Sequence, residues 1–182
     1  MPKMPWTQSD MQSDSTIMKN NFYESLVTDI SRSRTLTAFI KACDFFIVLI
    51  CASSYPAFLA FITLSDVGLE RILCLIFVPA SSFAIISVIR FIINEKRPYE
   101  VFDYTPIIGR QKAGKSFPSR HVFSAFMLAM TYMRYSCGAG IIFCFMGFLL
   151  GIIRVIGGVH YIHDVIAGAY FAVIFSAVYI FL

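Results

Sequence analysis

Charged side chains are scarce in this chain. Asp, Glu, Lys and Arg make up 14% of its 182 residues, against about 25% in ordinary soluble domains. Apolar residues make up 58% and aromatic residues 16%, and the mean hydropathy is +0.72. This balance excludes an ordinary water-soluble globule and predicts one domain whose helices pack together in lipid.

Paired cysteines are missing as well. The five Cys residues form no CxxC pair, and four of them lie inside apolar blocks. Neither a zinc site nor a disulfide framework is therefore predicted, and buried Cys is interpreted as a small hydrophobe. The chain also has no internal repeat, no low-complexity tract and no apolar core of a signal peptide in its polar first 35 residues.

The most prominent feature of the chain is a series of long apolar blocks. A spanning helix needs about 20 apolar residues, and five blocks qualify: 36–64, 72–94, Phe117–Met133, Ala139–Val159 and Val165–Leu182. They predict an all-α, polytopic transmembrane helix bundle with about five spans. If the first block breaks at "SSYP" (53–56), the number of membrane elements rises to six.

The polar segment before the first block has two open interpretations. "NNFYESLVTDI" (20–30) is either a short interfacial helix or part of a disordered tail. We therefore divide the chain into a polar N-terminal segment, residues 1–35, and a membrane-embedded domain, residues 36–182.

The few charges are unevenly distributed. From Phe91 onward the chain has eight basic residues and four acids, and all three His residues lie in this half. Snorkelling or positive-inside topology explains isolated charges. If successive spans alternate in direction, however, "RFIINEKRP" (90–98), "FPSRH" (117–121) and "RVIGGVHYIHD" (154–164) meet at one membrane face. Such a basic concavity predicts an anionic ligand.

Two of these clusters have the chemistry of an oxyanion site. Arg90 and Arg97 are seven residues apart, so on a continuous helix they project from nearly the same face, and two guanidinium groups suit a tetrahedral oxyanion. "SFPSRH" predicts a helix start with Pro118 in the first turn. The free N–H groups of that start favour an anion beside Ser119 and His121.

The third cluster resembles an activated nucleophile. His160 and Asp164 are four residues apart, so on a helix the carboxylate can hold one imidazole nitrogen and leave the other free to attack. Arg154 precedes them in the sequence and provides a positive charge that can bind phosphate beside the nucleophile. His163 is adjacent to Asp164, and adjacent helical residues diverge by about 100°, so Asp164 is not expected to orient it.

Together the clusters resemble the signature of the type 2 phosphatidic acid phosphatase family, which includes the vanadium haloperoxidases. That signature is a basic residue, six residues and Arg-Pro; then Pro-Ser-Gly-His; then Ser-Arg, five residues, His, three residues and Asp. This chain has Arg90-x6-Arg97-Pro98, Pro118-Ser119-Arg120-His121 and Arg154-x5-His160-x3-Asp164. This chain departs from the signature at three positions, with Arg90 in place of Lys, Arg120 in place of Gly and Ile153 in place of Ser. None of these positions is the nucleophile or the acid.

The resemblance implies a mechanism and a substrate class. It implies that His160 forms a phosphohistidine, that His121 is the general acid and then the base, and that Asp164 orients His160. The phosphoryl oxygens would be held by Arg90, Arg97, Ser119, Arg154 and the backbone of Arg120. The expected substrate is a lipid phosphate or polyprenyl (di)phosphate with its tail between the helices. We expect no cofactor, no metal and no nucleic-acid partner, and the oligomeric state stays open.

The resemblance also implies a multi-pass plasma-membrane protein with its site on the extracytoplasmic side. Five spans place the N-terminus on the side of the site, whereas Arg32, Arg34 and Lys41 favour a cytoplasmic start. A sixth element, an inward-facing site, or phosphate binding that outweighs the charge rule would each resolve this. The alternative function is a non-catalytic anion channel or carrier, which does not require the His160–Asp164 spacing. A haloperoxidase shares the motifs, but the known ones are soluble.

Overall fold

The computed structural model describes residues 23–65, 67–102, 104–110 and 112–181. These residues form helices and no strand, which confirms the all-α membrane fold class. The helices are α1 (residues 23–31), α2 (Arg34–Leu64), α3 (Leu69–Ile93), α4 (Pro98–Val101), α5 (Arg120–Met133), α6 (Cys137–Ile156), α7 (Ile162–Ser176) and α8 (Val178–Phe181).

The first apolar block forms one continuous helix. The side chain of Ser33 caps α2 by accepting a hydrogen bond from the Leu36 N–H, and the helix continues through Pro56 to Leu64. Its 31 residues extend about 46 Å, which exceeds the roughly 30 Å of a bilayer core. The alternative division at "SSYP" therefore does not occur.

Three of the described segments are long and apolar enough to cross a membrane: α2, Leu69–Val101 and α6. The third and fifth predicted spans are shorter than expected, because α5 has 14 residues and α7 has 15, about 21–23 Å. Pro118 was expected in the first turn of α5, but it precedes the cap residue Ser119. Half of the residues of α5 are buried, and its main neighbours are α6 and α7, so much of this short helix contacts protein rather than lipid.

The starts of α5 and α7 approach each other closely. The Ser119 N–H donates to the Asp164 backbone carbonyl at 2.9 Å. Gly168 lies one turn further along α7, and a Cβ there would stand 2.6 Å from the Ser119 carbonyl oxygen. The missing side chain thus permits an approach that brings the second and third sequence clusters together.

A cap of loop and helix covers this end of the bundle. Tyr23 and Val27 of α1 pack with Phe102 and Tyr104 of the loop after α4. The Tyr104 hydroxyl donates to the carbonyl of Gly158 at 3.0 Å, a residue whose φ of +75° favours glycine. Helix α1 therefore lies at the same end as the three clusters. Its location in the membrane interface stays a prediction, and residues 20–22 of that prediction lie outside the described residues.

Substitution of Gly168 by Ala tests the close approach of α7 to α5. The added methyl would contact backbone that cannot rotate away, so we expect a loss of about 1–3 kcal/mol in the free energy of unfolding. The measurement is unfolding in mixed detergent micelles. Gly138→Ala is the matched control, because a Cβ there meets only Ser136 Oγ, at 4.0 Å, and the helix gains up to about 1 kcal/mol. Equal losses in the two variants would contradict the packing argument.

Candidate active site

The two arginines of the first cluster do not share a helix face. Helix α3 ends at Ile93, and Asn94 follows in the left-handed conformation with φ of 45°, which Asn tolerates better than most residues. Arg97 instead caps the short helix α4, which starts at Pro98. The prediction of a shared face was wrong, because the helix ends before Arg97. Both guanidinium groups are nevertheless buried.

Backbone carbonyls hold both guanidinium groups at the same loop. Arg90 Nη1 donates to the carbonyl of Ser116 at 3.1 Å and to that of Pro118. Arg97 Nε donates to Gly114 at 3.2 Å, and its Nη1 donates to Val159 at 3.0 Å. A guanidinium has five N–H donors, so each arginine is oriented by carbonyls and keeps further donors for an anion.

Glu100 secures this arrangement and was missed by sequence reasoning. Its Oε2 accepts from the Arg97 N–H at 2.7 Å, and its two oxygens accept from the Gly114 N–H at 3.0 and 2.9 Å. The carboxylate thus joins the start of α4 to the loop that receives Arg97. Its signal in the sequence was its position three residues after the cap residue of a helix that starts with Pro.

The His160–Asp164 pair lies in the interior of the protein. The two residues are 1% and 0% exposed, and His160 Nδ1 lies 3.1 Å from Asp164 Oδ2. The same oxygen accepts from Ser116 Oγ at 2.5 Å and from the Tyr161 N–H at 2.9 Å. These bonds assign the hydrogen to Nδ1 and leave the lone pair of Nε2 free.

Electrostatics favour a neutral imidazole at His160. Burial lowers its pKa to about 4, although the hydrogen bond and the charge of Asp164 act in the opposite direction. The positive charges of Arg97 and Arg90 lower it further. An unprotonated imidazole has a lone pair available for attack, which agrees with the expected role of this residue.

The start of α5 contributes three neighbouring residues. Ser119 is fully buried, and its hydroxyl has no hydrogen-bond partner among the described residues. His121 is half-buried, and Arg120 is exposed, with its guanidinium 5.8 Å from the centre of the Phe83 ring. His121 lies within electrostatic range of Arg154 and of His160.

Arg120 and His121 form the polar end of an otherwise apolar cavity. The cavity has a volume of about 610 Å³ and lies between α2, α3, α5 and α6. Its walls include Leu59, Ile76 and Phe83. A long apolar chain fits such a cavity, with its polar end at the start of α5.

Arg154 has an ionic partner that sequence reasoning missed. Asp44 of α2 lies 3.0 Å from Arg154 Nε and 3.2 Å from its Nη2, and the two side chains are 13% and 3% exposed. Asp44 is the sole acid of the first apolar block. A charge inside an apolar segment was the available signal. Ile153, where the family has Ser, packs in the core beside Tyr23 and Val27.

A contact between Asp164 and His163 was not expected, because adjacent helical residues diverge, but the two side chains lie close together. His163 Nε2 lies 3.2 Å from Asp164 Oδ1 and 3.0 Å from Glu95 Oε1. The reason is that the carboxylate has two faces: Oδ2 points inward to His160, while Oδ1 points to the side where the exposed His163 ring stacks on Tyr161. This grouping of Glu95, His163 and Asp164 was not predicted.

Comparisons with known proteins indicate a family and a fold. The sequence model described as the PAP2 superfamily matches residues 71–181, more than half of the chain. Among solved structures, LpxE from Aquifex aeolicus has a TM-score of 0.67 at 20% identity, covering 89% of this chain and 94% of that one. A transmembrane PAP2-type phosphatidylglycerolphosphate phosphatase from Bacillus subtilis has a TM-score of 0.57 at 21% identity, covering 86% of this chain and 90% of that one. No curated protein sequence matches. At these identities the structural likeness shows the fold.

A double-mutant cycle tests the buried ion pair. Asp44→Leu or Arg154→Leu leaves one charge buried without its partner, which typically costs about 3–5 kcal/mol of unfolding free energy. The double variant removes both charges, so we expect its loss of unfolding free energy to be smaller than the sum of the two single losses. Unfolding in detergent micelles is the measurement, and Lys41→Leu, an exposed change one turn earlier, is the control. Strictly additive losses would show that the pair does not interact.

Proposed function

Since the chain belongs to the PAP2 superfamily, we propose that it is an integral membrane phosphatase that hydrolyses a lipid phosphate or a polyprenyl (di)phosphate. The observation that carries the proposal is the buried His160–Asp164 pair, with Arg97 held by the carbonyl of Val159, next to His160, and Arg90 held by the carbonyl of Ser116. A buried imidazole with an orienting carboxylate and phosphate-binding cations is the arrangement that covalent phosphoryl transfer needs.

In the proposed first step, His160 Nε2 attacks phosphorus in line with the leaving oxygen. A P–N bond forms while the bond between phosphorus and the lipid oxygen breaks, and His121 donates its proton to that oxygen. Asp164 accepts the Nδ1–H hydrogen bond and stabilises the positive charge that grows on the ring. In the second step His121 takes a proton from water, the water oxygen attacks phosphorus, and the P–N bond breaks to release inorganic phosphate.

Fixed donors would stabilise the charge on the three phosphoryl oxygens. Arg90 and Arg97 are oriented by carbonyls, and Arg154 by Asp44. The unpartnered hydroxyl of Ser119 and the backbone N–H of Arg120 complete the set. Donors that are already oriented need no rearrangement as charge develops, which makes this the largest contribution in many enzymes. General acid help from His121 adds about 10²–10⁴-fold.

The apolar cavity supports a substrate with a long hydrocarbon tail. Its polar end contains His121, the proposed donor to the leaving oxygen. A tail in this cavity therefore places the phosphate ester beside the proposed general acid. We propose that the protein lies in the plasma membrane with its site on the extracytoplasmic side, as the family resemblance implies.

Phosphate release by the purified protein tests the function. The panel consists of phosphatidate, phosphatidylglycerophosphate, undecaprenyl phosphates and lipid A, with a water-soluble phosphate ester as the control for the tail. We expect release from at least one lipid and much less from the soluble ester. Anion flux through vesicles without any phosphate release would favour the channel or carrier.

Substitution of the two neighbouring histidines tests the nucleophile. His160→Ala should abolish phosphate release and the trapping of acid-labile, base-stable radioactive phosphate on the protein. His163→Ala is the matched change three residues later, and we expect it to retain at least roughly a tenth of the wild-type rate, a loss of about 1.4 kcal/mol at most. Trapping that persists without His160 and vanishes without His163 would reverse the assignment.

Chelation tests whether the arginines suffice for charge stabilisation. Because three guanidinium groups are assigned to the phosphoryl oxygens, we expect EDTA not to lower the rate of phosphate release. Orthovanadate, which imitates the five-coordinate phosphoryl group, should block it. A rate that falls with EDTA and is restored by Mg²⁺ would contradict the proposal.

A further inference from the structure

Three potential metal ligands lie together at the solvent side of the start of α7. Glu95 Oε1 is 3.0 Å from His163 Nε2, and this nitrogen is 3.2 Å from Asp164 Oδ1. All three ligand atoms lie within 4.8 Å of one another. In a tetrahedral zinc site with bonds of about 2.0 Å, neighbouring ligand atoms are about 3.3 Å apart. The two short distances therefore nearly match the edges of such a tetrahedron.

One oxygen of this cluster lacks a hydrogen bond. Asp164 Oδ2 accepts from Ser116, Tyr161 and His160, whereas Oδ1 is buried and accepts from no donor among the described residues. His163 Nε2 can carry one hydrogen at most, and its hydrogen-bond partner is Glu95 Oε1 at 3.0 Å. A buried carboxylate oxygen without a partner costs free energy, and a cation between the three side chains would satisfy it.

We propose that Glu95, His163 and Asp164 bind a divalent metal ion of the Zn²⁺ class, and that this ion inhibits the enzyme through Asp164. One imidazole and two carboxylates are a donor set that suits zinc, whereas oxygen ligands alone favour Mg²⁺ or Ca²⁺. The side chains of His163 and Glu95 are 56% and 34% exposed, so an ion can enter from solvent. With a neutral imidazole, the two carboxylates give the cluster a negative charge.

The inhibition follows from the shared carboxylate and rests on the proposed function. A metal on Asp164 Oδ1 withdraws charge from the group whose Oδ2 holds His160 Nδ1 at 3.1 Å. The hydrogen bond to Nδ1 then weakens, and the imidazole becomes a poorer nucleophile. The competing explanation of the cluster is a protonated His163 that bridges the two carboxylates without any metal.

Metal binding is measured first, on the full chain in detergent micelles and without substrate. The probe is Co²⁺, whose visible absorption reports four-coordinate binding, and Zn²⁺ is the competitor. We expect the wild type to bind both ions, and Glu95→Gln and His163→Gln to bind them at least about tenfold more weakly. Glu70→Gln, at the other end of α3, and Cys137→Ser, which removes an exposed thiol, are the controls and should bind as the wild type.

Absence of Co²⁺ binding by the folded wild type would overturn the metal site and leave the protonated histidine as the explanation. Loss of binding in Cys137→Ser alone would overturn it as well. Circular dichroism and gel filtration show whether each variant is folded.

The rate of phosphate release with and without Zn²⁺ then tests the inhibition. We expect saturating Zn²⁺ to lower the kcat of the wild type about tenfold or more, with little change in KM and with recovery on chelation. Glu95→Gln should resist Zn²⁺ relative to its own metal-free rate. Binding at the cluster without any fall in kcat would overturn the inhibition. If no lipid in the panel releases phosphate, the proposed function is overturned. The metal site is not, because the Co²⁺ measurement does not depend on turnover.

Discussion

The site depends on one buried carboxylate, that of Asp164. Its Oδ2 accepts hydrogen bonds from Ser116, Tyr161 and His160, and its backbone carbonyl accepts from Ser119. One residue thus connects the loop before α5, the cap of α5 and the start of α7. A buried carboxylate is stable only when donors surround it, so these segments must meet where they do. The same requirement fixes the tautomer of His160.

The positive charges of the site follow a second rule. Arg90 and Arg97 are buried, and backbone carbonyls rather than carboxylates hold them. Carbonyl acceptors orient a guanidinium without cancelling its charge, so the charge stays available to an anion. Arg154 differs, because Asp44 neutralises it within the bundle. The site therefore combines two guanidinium groups that are held by carbonyls with a third that forms an ion pair with an acid.

The apolar cavity and the polar residues of the proposed reaction meet at the start of α5. The apolar cavity follows α5 and ends at Arg120 and His121. The preceding residue, Ser119, donates its backbone N–H to the carbonyl of Asp164. Gly168 lets α7 approach this point. A short helix is sufficient here, because α5 packs mainly against α6 and α7.

The amino-acid sequence was sufficient to predict the fold class, the approximate apolar blocks, and the order and spacing of the three clusters. These features depend on local pattern: runs of apolar residues, a spacing of four residues between His160 and Asp164, and short motifs. The helix expected for that spacing starts only at Ile162, so His160 lies before it. Arg97 leaves α3 for a local reason, because the helix ends at Ile93 and Pro98 disfavours helix at the residue before it. The pairing of Asp44 with Arg154 and the contact of Glu95 with His163 follow only from the tertiary structure. The physical reason is that those contacts join residues 68 and 110 positions apart, so they depend on how the helices pack and not on any local pattern.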